Sequence, residues 1–121
     1  MTKKFTFKQL FSIIDGRMST TIDDIYGMLN HIMDTSLMTH QLPTANDYLK
    51  HKSPQWHKEA TKQLESIKQE HGDDFNVLMA VIDGGYNTEI DVPQLKDECD
   101  LSDLRGFIEE NSILLKRLKA V

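Results

Sequence analysis

The tract Thr39–Pro43, "THQLP", sets a titratable group among short hydrogen-bonding side chains. His40 is the one residue there that changes charge near neutrality, so beside a suitable partner it could act as a general base or a metal ligand. No partner lies within sequence reach. His31, His51, His57 and His71 fall in other segments, and none shows the His-x3-His spacing that puts two ligands on one helical face. Cys99 is the lone thiol, which excludes an internal disulfide and a metal site built on thiolate pairs. No glycine-rich phosphate loop and no nucleophile elbow is present. The expectation is therefore no catalytic residue, no metal and no cofactor, with a small hydrolase using His40 together with Cys99 or a carboxylate as an alternative.

The charges point elsewhere. The chain has 121 residues and a formal net charge of −5, unevenly spread. Residues 1–68 hold nine basic and seven acidic side chains, whereas residues 69–115 hold two basic and twelve acidic ones. That density would repel nucleic acid and attract a basic protein surface; the competing reading is a solvated acidic face. The acids proposed to meet a partner are Asp73, Asp74, Glu89, Asp91, Asp97, Glu98, Asp100, Asp103, Glu109 and Glu110. Direct nucleic-acid binding is the second alternative. It would use Lys3, Lys4 and Lys8 with a basic patch at 50–62, where Trp56 sits among Lys50, His51, Lys52, His57, Lys58 and Lys62.

These residues must be held by helices. Phe7, Leu10, Phe11 and Ile14 share one side of a short helix that Thr6 can cap and Gly16 can end. Thr21 followed by Asp24 opens a second helix over about 22–34, striped by Ile22, Ile25, Tyr26, Met28, Leu29, Ile32 and Met33. Thr44 can cap a third helix, and Ser53 a fourth with Pro54 at its first position and Gly72 as its stop. Between 75 and 92 the pattern fits either a helix on Phe75, Leu78, Met79 and Ile82, capped by Asp73 or Asp74, or a β-hairpin turning at "DGG". The last segment carries a heptad seam, Leu101, Leu104, Ile108, Asn111, Leu115 and Leu118. Of these, Leu104, Ile108, Asn111, Leu115 and Leu118 are candidates for self-association, so monomer and homodimer are both open. The expected fold is mainly α: a single-domain bundle of about five or six helices, with a short β-hairpin near 77–92 as the open alternative. Within it, 1–68 and 69–121 differ in character, the second part being acidic. No apolar run approaches the ~18 residues of a membrane span. The N-terminus lacks a leader-like apolar core, so a cytoplasmic protein is expected.

In this frame the 39–43 tract reads most economically as a joint between helices. Thr39, His40 and Gln41 would satisfy orphan carbonyls and amides, leaving His40 hydrogen-bonded and partly buried. Leu42 would anchor the loop, and Pro43 would fix the chain before Thr44. A binding role for the loop at Thr39, His40 and Gln41 is the alternative. The stretch "TIDDIYGMLNHIMDTSLMTHQLPTA", with Leu10–Ser12, Gly16 and Arg17 before it, resembles a family of functionally uncharacterised small bacteriophage proteins. These carry an F-x-x-L-F-S-I-x-x-G-R start, a D-D-I-Y-x-x-L-N helix and a T-H-Q-L-P tract. Thr44 stands where that family usually has arginine. The resemblance covers about the first 45 residues and implies a phage or prophage origin, in a host cytoplasm, with no activity attached. Together these readings predict a small phage-derived, non-enzymatic protein-binding factor. Its acidic surface would inhibit a basic host protein, such as a defence or nucleic-acid-binding protein.

Overall fold

The computed structural model describes residues 1–110. Strand β1 (Thr2–Thr6) runs directly into α1 (Phe7–Ile14), where the Thr6 side chain accepts from the Gln9 amide and the Gln9 side chain accepts from the Thr6 amide. This reciprocal cap lets the chain pass from extended to helical backbone with no loop. Gly16 at φ +94° ends the turn that follows. The helices α2 (Ile22–Met33), α3 (Leu42–Lys52) and α4 (Gln55–His71) come next. Then α5 (Phe75–Val81) runs into a π-helical turn (Ile82–Tyr86), followed by β2 (Glu89–Pro93) and the one-turn α6 (Leu95–Glu98). Residues 104–110 are helical. The result is a single, mainly α domain with one small sheet.

α1 is the wall between two apolar cores. Leu10 and Ile13 face a core with Met28, Leu29, Ile32, Tyr48 and Val92, while Phe7 and Phe11 face a second one with Leu64, Ile67, Leu78 and Ile82. The spacing of 7, 10, 11 and 14 suggests one apolar side, but Ile13 is buried as well, so the helix is enclosed on two sides. Burial of this kind, at ~25 cal/mol per Å² of apolar surface, is the main stabilising contribution.

The hairpin alternative at 77–92 is not what forms. Leu78 and Ile82 lie on one helical face and fill the second core, so the apolar run stays helical through Ile82. The extended stretch after it pairs with the N-terminus, antiparallel, with Thr2 opposite Pro93, Lys4 opposite Asp91 and Thr6 opposite Glu89. Two assigned caps also change. Ser53 closes α3 in the left-handed region at φ +47° and does not cap α4, whose N-cap is Pro54. Thr44 lies inside α3, which begins at Leu42 with Pro43 in its first turn. The Thr21, Asp74 and Gly72 assignments hold: Thr21 accepts from the Asp24 amide, Asp74 from the Val77 amide, and Gly72 ends α4 at φ +85°.

The uneven charge finds its use inside the molecule. Lys4 pairs with Asp91 at 3.4 Å, Lys8 with Asp83 at 3.1 Å, and the N-terminal amine with Asp97 at 3.0 Å. Arg17 and Lys68 share Asp73 at 2.8 and 3.2 Å, and Lys52 pairs with Asp103 at 2.7 Å. Each pair joins a cation from residues 1–68 to an anion from the acidic half. Exposed pairs contribute little energy singly, about 0–1 kcal/mol. Their orientation nonetheless decides where the acids point.

Candidate functional site

The joint between α2 and α3 is held at several points. α2 ends at Asp34, in the left-handed region at φ +54°. Asn30 takes up the chain beyond it, its backbone carbonyl accepting from the Thr35 amide at 3.1 Å and its side-chain Oδ1 from the Leu37 amide at 2.8 Å. The Tyr26 hydroxyl hydrogen-bonds Thr39, and Gln41 Oε1 accepts from the Met38 amide at 2.9 Å. Leu42 is buried and anchors the tract to the first core. Tyr26, Asn30, Thr39, Gln41 and Leu42, all within the quoted motifs, therefore build the joint itself.

His40 is the exception. The sequence suggests a partly buried, hydrogen-bonded histidine; the structure leaves it exposed, with no hydrogen bond or ion pair to a described residue. A 3-10 turn (Thr39–Gln41) carries it at the edge of a cleft of about 510 Å³. Met33, Leu37, Ala45, Tyr48, Leu104 and Ile108 give this cleft apolar walls, and Thr35, Ser36, His40, Gln41 and Thr44 give it a polar lining. Its volume falls within the 300–1,000 Å³ of ordinary ligand pockets.

Unlike His40, the Tyr48 and Asp103 side chains next to the cleft are already engaged. The Tyr48 hydroxyl donates to Asp103 Oδ1 at 2.7 Å. Burial, with Asp103 alongside, pushes the phenol well above its ordinary value. Hydrogen bonds from Lys52 and Tyr48 in turn hold the Asp103 carboxyl at about 2. Cys99 packs partly buried against the first core. Among the described residues no three His, Cys, Asp or Glu side chains converge as a metal site. The cleft can therefore bind an apolar group and hydrogen-bond it at the rim.

Most of the other acidic sequence candidates are engaged within the chain. Asp73, Asp91, Asp97, Asp103 and Glu109 are in ion pairs, the last with Arg105 at 3.3 Å. Asp74 caps α5, and Asp100 accepts from the Ser102 amide at 2.9 Å. Glu89, Glu98 and Glu110 are exposed with no ion pair to a described residue, and they belong to three different elements. The 50–62 patch loses its stacking platform because Trp56, at 6% exposure, is part of the first core. His57 is also buried, its Nε2 without a hydrogen-bond partner among the described residues, and burial with Lys50 nearby lowers its pKa. Of the seam, Leu104 is half-buried against the core and Ile108 is 44% exposed at the cleft; Asn111, Leu115 and Leu118 lie outside the described residues. Sequence reasoning missed Met33, Leu37, Ala45 and Tyr48 as cleft residues, because each reads there as ordinary core.

Residues 5–63, just under half of the chain, match the model of a family described as a domain of unknown function (DUF7736). That span covers the start motif, the α2 motif and the 39–43 tract. No curated protein and no solved structure matches the chain. No helix among the described residues is long and apolar enough to cross a membrane.

Proposed function

We propose that this protein is a small phage-derived, non-enzymatic binding factor that docks on a host protein through the cleft beside His40. The observation that carries this reading is the contrast within one tract. Its neighbours are fixed by Tyr26, Asn30 and Gln41, while His40 stands unengaged at the edge of an apolar cleft. A fixed loop presenting a free polar group beside an apolar hollow suits recognition, since the ordering entropy is spent before the partner arrives. The internal pairing of the acids argues for moving the docking site from the acidic face to this cleft.

Capture from host lysate tests the assignment. Tagged wild type is compared with a His40→Ala, Thr44→Trp variant that obstructs the cleft, and with a charge-reversed Asp97→Lys, Glu98→Lys, Asp100→Lys variant. The expected result is one protein retained by wild type and the charge-reversed chain, lost by the cleft variant, and still bound when salt screens exposed charges. Loss on charge reversal, with the cleft variant still binding, would overturn it.

A further inference from the structure

Leu104 and Ile108 supply one side of the cleft, and α3 supplies the facing side through Thr44, Ala45 and Tyr48. The polar contacts between the two sides converge on Asp103. Asp103, immediately before the 104–110 helix, accepts from the Tyr48 hydroxyl at 2.7 Å and from Lys52 at 2.7 Å, and lies 3.4 Å from His51 Nε2. Residues 48, 51 and 52 share one face of α3, so a single carboxylate reaches all three. Phe107 reinforces the fastening, its ring centroid 5.1 Å from Tyr48 and 5.4 Å from His51. Before Asp103 the chain is extended at Cys99 and tied locally by Asp100.

We propose that Asp103 is a positioning residue, pinning residues 104–110 against α3 as a strap whose attachment sets the width of the partner cleft. This rests on the cleft being the docking site. With the pin in place, Leu104 and Ile108 complete an apolar hollow. When it is lost, that side swings away and an entering apolar group contacts α3 alone.

The test uses the whole chain and the neutral dye Nile red, which brightens in apolar surroundings, together with amide hydrogen exchange. Asp103→Asn should speed exchange across 104–110 while protection in α1 and α4 persists. It should also weaken dye binding about fivefold, as the fraction of chains with the strap in place falls to about one-fifth. Asp103→Glu, which keeps the charge, should restore both. Unchanged exchange at 104–110, or faster exchange with unaltered dye affinity, overturns the proposal, as does general loss of protection that Asp103→Glu fails to rescue. The reading of the cleft itself fails separately: wild-type dye binding that survives Thr44→Trp places the dye elsewhere, whatever the exchange shows.

Discussion

Replacing Asp15 by asparagine removes the charge, and one of the two accepting oxygens, that tie the end of α1 to Arg17 and to Lys68 of α4. Its side chain is 6% exposed and accepts from Arg17 Nε at 2.6 Å and from Lys68 Nζ at 2.6 Å. Asp73 completes a four-charge ring, and the Arg17 guanidinium lies over Phe11 and Phe75 at 5.7 and 5.8 Å. Burial alone would raise the Asp15 carboxyl. Hydrogen bonds from Arg17 and Lys68 outweigh it and hold the group at about 2, against an ordinary 3.8. The difference corresponds to roughly 2–2.5 kcal/mol of stability. Because the folded-state value is depressed, this contribution is complete above the ordinary carboxylate value and is lost as pH falls through about 2. Urea unfolding followed by Trp56 fluorescence should therefore show Asp15→Asn roughly 2–3 kcal/mol less stable than wild type at pH 7, with a shallower decline between pH 4 and 2. Asp73→Asn, at a side chain 74% exposed, should cost far less because water screens its pairs. An Asp15→Asn effect below about 0.5 kcal/mol, or equal effects at the two sites, would refute the assignment of Asp15 as the centre of the ring.

Ser53→Gly should raise stability by roughly 0.5–1 kcal/mol in the same assay, because the serine closes α3 at φ +47° where glycine is unstrained; a loss of stability would show that the serine side chain contributes something the backbone angle does not. Adding a single-stranded oligonucleotide at low salt should leave Trp56 emission unchanged, since the indole is enclosed by the first core. Quenching or a spectral shift would place the indole at the surface, as the basic-patch alternative requires.

The helices were legible because their apolar residues recur at short range and their caps are local. Phe7 to Ile14, Ile22 to Met33 and Trp56 to Ile67 carry that pattern almost unaided. The sheet was not legible, since Thr2–Thr6 is five residues with two lysines, and its partner lies more than eighty residues away. Long-range pairing of that kind leaves no period to read. The charge asymmetry was visible, but not that much of it is met within the chain. Lys4, Arg17 and Lys52 meet acids that the sequence alone would assign to a partner. The joint was recognisable from Leu42 and Pro43, whereas the cleft beside it depends on Leu104 and Ile108 arriving from the far end of the chain.

The pairing of β1 with β2 also bears on how the molecule is made. As the chain leaves the ribosome, the first four helices emerge before Val92 and Leu95, which join Leu10, Met28 and Ile32 in the first core. The nascent N-terminal portion must wait with its apolar faces uncovered, exposed to chaperones and to other growing chains. A fragment cut at the edge of the 5–63 match would be left permanently in that unfinished state.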